Sequence, residues 1–158
     1  MFTAAILVSS DRAFNGVYQD KSGTFLKKKL IENGYDVIDL CILPDEYTQI
    51  KEKLNEYINQ GVNLVLTSGG TGFSQRDVVP EATKDVIEKE VPGISEAIRQ
   101  KSLEITKNAM LSRAISGIKN NTWIINLPGS RKAVEESLEV ILPVFEHGLG
   151  ILLGIADN

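Results

Sequence analysis

Three glycines within four positions follow an apolar run and could bind an anion through the backbone. The segment is Gly69-Gly70-Thr71-Gly72, which follows Ser68 after a predicted buried strand at 63–67. Glycines let the chain turn sharply and present N–H groups to a phosphate without obstruction by side chains. No Gly-Lys-Ser/Thr follows, and the G-x-G-x-x-G spacing of dinucleotide-binding loops is absent. The pattern therefore indicates either a loop that binds phosphate or a plain tight turn.

Two aspartates occupy positions where a bound phosphate would need a cation beside it. Asp77 follows Arg76 and precedes a helix expected from Pro80, and Asp45 follows Pro44 at the end of a predicted strand. Each aspartate could cap the helix that comes after it. A carboxylate next to a bound phosphate would repel it unless a cation lay between them, and Mg²⁺ is the usual cation at such sites. Helix capping and a metal–phosphate site are therefore both open for Asp45 and Asp77.

Further along the chain, two more loops carry groups that bind anions. Residues 127–130, Leu-Pro-Gly-Ser, join a predicted strand to the last helix, so backbone N–H groups at the helix start could bind an anion, although Ser130 is also a favoured cap. Arg113, preceded by Ser112, could bind a phosphate with two N–H groups or form a surface ion pair. His147 is the single histidine, which excludes a histidine-rich site and leaves it a structural or solvated residue.

Alternating apolar runs and helical patterns predict the elements that position these residues. Buried strands are expected at 4–9, 35–43 and 63–67, each followed by a helix. The candidate residues follow the carboxyl ends of the strands, which is where open α/β sheets bind ligands. Two short runs, 114–118 and 122–126, predict a hairpin that adds an antiparallel strand.

The end of the chain completes one predicted domain. A helix from Ser130 is expected to be interrupted at Pro143, with a short final helix to Leu153. With 158 residues in total, the chain fits a single domain spanning residues 1–158. The fold class predicted is α/β, with a mostly parallel sheet and an antiparallel edge strand.

Composition and charge exclude several classes of protein. Hydrophobic residues make up 42% of the chain and charged residues 24%, values that exclude wholesale disorder, collagen and coiled coil. The net charge is −4, and the basic triplet 27–29 is expected on the solvated side of a helix, so no nucleic acid partner is expected. The lone Cys41 excludes an intrachain disulfide and is expected to be a buried thiol. Residues 1–8 lack the features of a signal peptide or membrane span, which predicts a cytoplasmic protein.

Seven stretches of the chain, taken in order, match one known family. They are residues 8–12, 16–23, 44–46, 67–82, 92–93, 111–113 and 124–130. Together they resemble the Mog/MoaB family of molybdenum cofactor biosynthesis, which includes bacterial molybdopterin adenylyltransferase and the G domain of gephyrin. The chain departs from the family pattern at Val79, where a threonine is usual, and at Arg131, where many bacterial members have proline.

The resemblance implies a three-layer α/β/α fold, a trimer in many members, and transfer of AMP from ATP to the phosphate of molybdopterin. It implies that Asp45 and Asp77 are the catalytic aspartates, and we expect them to hold Mg²⁺ against the ATP phosphates. The resemblance further assigns nucleotide or pterin contacts to Gly69, Gly70, Thr71, Gly72, Ser112, Arg113, Pro128, Gly129 and Ser130.

Partners and alternative functions also come from the resemblance. The family assigns metal insertion to a separate protein, so the product would pass to such a partner. One alternative keeps the fold without catalysis, as a molybdopterin-binding or scaffold relative. Another is a relative of the domain found in competence-associated amidohydrolase proteins, acting on a different nucleotide or pterin. Product formation separates the first alternative from the enzyme, and failure to bind molybdopterin would favour the second.

Overall fold

Strands and helices alternate along the first half of the chain, as the apolar pattern predicts. The structure is a computed structural model that describes residues 1–157; Asn158, the last residue of the predicted domain, lies outside the described residues. The strands are β1 Thr3–Ser9, β2 Asp36–Leu43, β3 Leu64–Ser68, β4 Lys89–Glu90, β5 Ser116–Lys119 and β6 Thr122–Leu127. The helices are α1 Asp11–Phe14, α2 Ser22–Glu32, α3 Tyr47–Asn59, α4 Val79–Val86, α5 Pro92–Leu103 and α6 Arg131–Leu152, with a 3₁₀ turn at Lys107–Leu111.

The six strands form one sheet in the order β2-β1-β3-β6-β5-β4. Strand β1 pairs in parallel with β2 and β3, and β3 pairs in parallel with β6. Strand β5 runs antiparallel to both β6 and the two-residue β4, which together finish that edge of the sheet. The predicted mostly parallel sheet with an antiparallel edge is confirmed.

Alternation of side chains along the buried strands builds a core on each face of the sheet. Along β1, Ile6 and Val8 pack with apolar residues of α2, α5 and α6, while Ala5 and Leu7 pack with those of α3 and α4. Successive side chains of a strand point to opposite faces, and a parallel strand covered by helices on both sides is apolar throughout. The result is a three-layer arrangement with the carboxyl ends of β1, β2, β3 and β6 at one edge.

Cys41 lies on β2, a strand at the sheet edge, and is half-buried rather than fully enclosed. Burial raises the pKa of its thiol, with the nearby Lys53 acting in the opposite direction. A thiol with a raised pKa holds little reactive thiolate at neutral pH. Cys41 is therefore a packing residue as expected, but it is less buried than the sequence predicts.

The predicted break at Pro143 is wrong, because α6 runs without interruption from Arg131 to Leu152. Proline removes one backbone hydrogen bond and crowds the preceding turn, which is why a break was expected. The apolar face of the helix continues past the proline, with Ile141 before it and Phe145 after it both buried. Packing on both sides of Pro143 outweighs the local cost. No helix within residues 1–157 is long and apolar enough to cross a membrane.

Replacing the exposed Pro143 with alanine should raise the free energy of unfolding by about 1–3 kcal/mol, because alanine restores the missing hydrogen bond and removes the steric conflict. Part of the gain is lost because alanine gives the unfolded chain more freedom. Urea unfolding of Pro143→Ala measures the change, with the exposed Lys132→Ala in the same helix as control. An unfolding midpoint no higher than that of the parent would show that the proline shapes α6 to fit the core.

Candidate active site

A polar cavity of about 180 Å³ lies where the carboxyl ends of β1, β2, β3 and β6 meet. Five of the predicted residues line it: Asp45, Asp77, Gly69, Gly70 and Gly129. They come from separate loops, which the parallel order of the strands brings to the same edge of the sheet. The structure therefore brings both candidate aspartates and the start of the glycine-rich loop into one site.

At Gly69 and Gly70 the backbone conformation disfavours any other residue, and a side chain would collide with neighbouring atoms. Both have positive φ, +91° at Gly69 and +70° at Gly70. A Cβ atom at Gly69 would lie 2.5 Å from the carbonyl oxygen of Ser9, and one at Gly70 would lie 2.5 Å from Cγ2 of Val79. The Gly69 N–H donates to the Leu127 carbonyl at 3.1 Å. The loop is thus packed directly against β1, α4 and the end of β6, and Val79 fills the space beside Gly70.

Asp45 holds the loop after β1 and the first turn of α1 in place, and it does not cap α3, the helix that follows it in sequence. Its Oδ1 accepts a hydrogen bond from the Ser9 hydroxyl at 2.5 Å, and its Oδ2 accepts one from the Asp11 N–H at 3.0 Å. The N-cap of α3 is Glu46, which makes no side-chain capping bond. The capping hypothesis for Asp45 is therefore wrong, and the carboxylate faces the polar cavity instead.

Asp77 closes its own loop and likewise does not cap the next helix. Its Oδ2 accepts a hydrogen bond from the Ser74 N–H at 3.0 Å. The N-cap of α4 is Val78, and no side-chain bond caps that helix. Capping is therefore wrong for Asp77 as well. Because only Oδ2 is engaged by the described residues, Oδ1 has capacity to bind a ligand at the cavity.

Arg76 joins three of the loops that surround the polar cavity. Its guanidinium makes two hydrogen bonds of 3.0 Å to the carboxylate of Asp11, after β1, and an ion pair of 2.9 Å with Glu46, after β2. The hydrogen bonds from Arg76, with the backbone bond from Asp45, lower the pKa of Asp11 below its ordinary value. Arg76 therefore ties its own loop, after β3, to the loops after β1 and β2.

Arg113 braces the loop that carries Asp77 and does not line the polar cavity. Its Nε donates to the Gly72 carbonyl at 2.8 Å, one Nη donates to the Asp77 carbonyl at 2.8 Å, and the other pairs with Glu81 at 2.6 Å. The ion pair predicted as one alternative for Arg113 is present, and two backbone carbonyls extend it. The guanidinium is thus occupied with positioning the loop.

Replacing Arg113 with lysine should lower the free energy of unfolding by about 1–3 kcal/mol, because a lysine cannot satisfy both carbonyls and Glu81 at once. Loss of these bonds should also speed amide hydrogen exchange in residues 72–77. Glu81→Gln is the matched control, since an exposed ion pair alone contributes at most about 1 kcal/mol. Equal losses in the two variants would mean that the bonds to the carbonyls contribute nothing.

Four more of the predicted residues lie around a second, apolar cavity of about 290 Å³. Thr71, Gly72, Ser112 and Pro128 line it together with residues of α5 and the 3₁₀ turn, among them Ile98 and Arg99. The glycine-rich loop forms a wall shared by the polar and apolar cavities, because its first two residues line one and its last two line the other. The predicted site is thus divided into a polar part and an apolar part.

Ser130 caps α6, which is one of the two roles predicted for it. Its Oγ accepts a hydrogen bond from the Ala133 N–H at 3.2 Å. Next to it, the Gly129 carbonyl accepts a hydrogen bond from the Ser22 hydroxyl at 2.7 Å, which fastens the start of α6 to the start of α2. The capping role of Ser130 is confirmed, and its contact with a ligand stays a prediction.

Sequence reasoning missed several residues of the polar cavity, including Ser9, Tyr18, Asp20 and Ser22. Asp20 is the most consequential, because it adds a third carboxylate; its Oδ1 accepts a hydrogen bond from the Gly23 N–H at 2.9 Å. Its Oδ2 is buried without a hydrogen-bond partner among the described residues. The signal for them was the polar segment 18–23 after the end of β1, which lies within one of the stretches that match the family.

The charged residues that line the polar cavity are all acidic. Asp20, Asp45 and Asp77 line it, and no lysine or arginine is among its lining residues. Within residues 1–157, no group of three or more acidic, histidine or cysteine side chains is arranged closely enough to hold a metal by itself. A cation bound here would therefore complete its coordination with water or with a ligand.

The chain belongs to the family described as the probable molybdopterin binding domain, whose model matches residues 5–147. It is 40% identical over 152 residues to molybdopterin adenylyltransferase of Helicobacter pylori strain J99, covering 94% of this chain and 86% of that protein. It is 40% identical over 157 residues to gephyrin of Dictyostelium discoideum, of which it spans only 22% of the length. The family predicted from the sequence motifs is confirmed.

Solved structures agree with the fold. The molybdopterin biosynthesis enzyme MoaB from Thermus thermophilus has a TM-score of 0.91 and 41% identity, with 98% of both chains covered. The tungsten cofactor synthesizing protein MoaB from Pyrococcus furiosus has a TM-score of 0.88 and 31% identity, covering 96% of this chain and 97% of that chain. A CinA protein from Thermoplasma acidophilum, at 17% identity and a TM-score of 0.73, shares the fold alone. It therefore gives no support for the competence-associated alternative.

Proposed function

We propose that this protein is a molybdopterin adenylyltransferase, which transfers AMP from ATP to the phosphate of molybdopterin. The observation that carries the proposal is the polar cavity, where three carboxylates and the glycine-rich loop meet without a basic side chain. Such a cavity suits an anion that arrives with a cation. Relatives that are named molybdopterin adenylyltransferase support the same reaction.

In this reaction a phosphate oxygen of molybdopterin attacks the α-phosphorus of ATP. A new P–O bond forms, the bond from the α-phosphorus to the bridging oxygen breaks, and the electron pair leaves with pyrophosphate. A phosphate monoester with a second pKa of about 6 is already largely dianionic at neutral pH, so it needs little help from a general base. The chain's single histidine, His147, is exposed on α6 and is not required.

The residues of the polar cavity fit Mg²⁺. The buried and unpartnered Oδ2 of Asp20 and the free Oδ1 of Asp77 are oxygen groups of the kind that a hard cation binds. We infer that Asp45 and Asp77 hold the ion, with Asp20 beside them; when bound, Mg²⁺ neutralises charge on the phosphates and polarises the α-phosphoryl group. Mg²⁺ commonly uses one or two carboxylates and completes its shell with water and substrate phosphates.

The chain itself positions the reacting groups. Because the Gly69 N–H is already bonded to Leu127, the N–H groups of Gly70 and Thr71 are the ones the loop presents to a phosphate. The apolar cavity on the other side of the loop suits the planar ring of a ligand, because its surface is mainly apolar and Thr71 and Ser112 add polar groups at its wall. One wall can thus orient both a ring and the phosphate attached to it.

The direct test incubates the purified protein with molybdopterin, ATP and Mg²⁺ and measures adenylylated molybdopterin and pyrophosphate. Equal amounts of the two products, formed only when the metal is present, are the expected result. Tight binding of molybdopterin with neither product would favour the scaffold function. Failure to bind molybdopterin at all would overturn both.

We also propose, from the family resemblance, a cytoplasmic homotrimer that passes its product to a molybdenum insertion protein. Light scattering on the purified protein tests the assembly, and a mass three times the 17.4 kDa of one chain is expected. A mass of one chain at micromolar concentration would contradict it.

A further inference from the structure

A basic groove lies beside the polar cavity, and the mechanism above does not use it. The basic groove, about 570 Å³ in volume, is lined by Lys21, Lys28, Lys29 and Arg131 and also by the acidic Asp20 and Glu135. The chain as a whole has a net charge of −4. Around the basic groove, in contrast, the four cationic side chains outnumber the two carboxylates, so the local charge is positive. Lys27, the third member of the basic triplet, does not line the groove.

An aromatic ring holds two of these cations in position. The guanidinium carbon of Arg131 lies 5.1 Å from the centroid of the Phe25 ring, and Nζ of Lys29 lies 5.9 Å from it. Phe25 is buried at the start of α2 and packs into the core, so the ring is a fixed support. Cation–π contacts restrict the two charged groups without neutralising them.

The acidic residues nearby neutralise the groove only in part. Arg131 has Glu135 at 3.9 Å and Lys29 has Glu32 at 3.4 Å, both between exposed side chains. Exposed pairs at these distances are weak and exchange readily with other anions. Lys21 and Lys28 form no ion pair within the described part of the chain. The groove therefore has positive charge available for a ligand.

A further opening lies between the basic groove and the polar cavity. This opening, about 580 Å³, shares Tyr18, Ser22 and Gly129 with the polar cavity and shares Lys21 and Arg131 with the groove. A ligand in the polar cavity can therefore extend past Ser22 and Gly129 toward the cations. The polar cavity and the basic groove therefore adjoin, and Asp20 lines both.

We propose that the basic groove binds the β- and γ-phosphates of ATP and then the pyrophosphate released from them, a proposal that rests on the function given above. The α-phosphorus would lie in the polar cavity, where the phosphate oxygen of molybdopterin forms the new bond. The electron pair of the broken α–β bond moves to the pyrophosphate oxygen, so negative charge grows on the side of the groove. Cations fixed there before the reaction stabilise that charge as it develops.

Binding of inorganic pyrophosphate, measured by calorimetry without nucleotide, tests the groove directly. The double variant Lys28→Gln with Arg131→Gln should bind pyrophosphate at least about 10-fold more weakly, because two phosphate contacts are removed. Lys27→Gln is the matched control, since it removes the same kind of charge from the same helix at a residue outside the groove. Circular dichroism and thermal unfolding verify that both variants fold.

A second measurement separates this proposal from the proposed function. In the adenylylation assay, the double variant should raise KM for ATP and leave KM for molybdopterin unchanged. Pyrophosphate binding that is lost in the double variant, with no AMP transfer by the parent protein, would support the groove and overturn the adenylyltransferase. No pyrophosphate binding by the parent, or equal affinity in the double variant and Lys27→Gln, would overturn the groove.

Discussion

Replacing Asp77 with asparagine should lower the rate of AMP transfer by about 100-fold or more, the scale of loss when one electrostatic group is removed from an active site. The same change should alter the free energy of unfolding by no more than about 0.5 kcal/mol. Asparagine has the shape of aspartate, and its carbonyl oxygen can still accept the hydrogen bond from the Ser74 N–H. The variant thus removes the charge while keeping the loop.

Asp77 is a sharper target than Asp45 for this experiment. Both oxygens of Asp45 accept hydrogen bonds, from Ser9 and from the N–H of Asp11. An amide nitrogen cannot accept such bonds, so Asp45→Asn would disturb the loop after β1 together with any chemistry. At Asp77 the effect on the reaction can be measured separately from the effect on the fold.

The measurement compares turnover and urea unfolding of Asp77→Asn with those of Asp36→Asn, which changes an exposed aspartate at the start of β2. Asp36→Asn should match the parent in both assays. Should Asp77→Asn keep its turnover, the carboxylate has no part in the reaction and the proposed metal site fails. Should it lose stability and turnover together, its role is to hold the loop.

Replacing Gly69 with alanine should lower the free energy of unfolding by about 2–4 kcal/mol and abolish ligand binding in the polar cavity. The new Cβ would lie 2.5 Å from the carbonyl oxygen of Ser9, the last residue of β1. Since that oxygen cannot move without β1, the glycine-rich loop must move instead. Displacement of the loop would reshape the wall shared by the polar and apolar cavities.

Gly61→Ala provides the matched control for Gly69→Ala. Gly61 also has a positive φ, +73°, but nothing lies within 4 Å of a Cβ built there. The difference between the two variants isolates the steric contact from the cost of the backbone conformation, which alone is about 1 kcal/mol. Equal destabilisation of the two would mean that the loop moves away from Ser9 at no cost.

The main features of the site could be predicted because they depend on local sequence and strand order. Buried strands are continuous apolar runs, and parallel strands deliver their following loops to one edge, so Asp45 and residues 69–70 had to lie close together. Asn120, between β5 and β6, adopts a positive φ of 52°, as asparagine does in tight hairpin turns. The expected hairpin is therefore present.

What could not be predicted depends on contacts between distant parts of the chain. The sequence shows that Arg113 has five N–H donors, but only the fold reveals that the carbonyls of Gly72 and Asp77 use them. Aspartate before a helix suggests a cap, and both candidate caps fail because Asp45 accepts hydrogen bonds from the segment after β1 and Asp77 accepts one within its own loop. Pro143 predicts a break unless the packing on both sides of it is known.

Because the polar cavity is assembled from residues as far apart as Ser9 and Gly129, it exists only when β1, β2, β3 and β6 have come together. The hydrogen bond from Ser22 to the Gly129 carbonyl joins positions 107 apart in sequence. Contacts of such long range form late in folding, since a large loop must close first. A ligand in the cavity therefore binds the native state alone, and at about 100 times its Kd it should stabilise the folded chain by about 2.7 kcal/mol. Thermal unfolding can thus detect substrates before any product is measured.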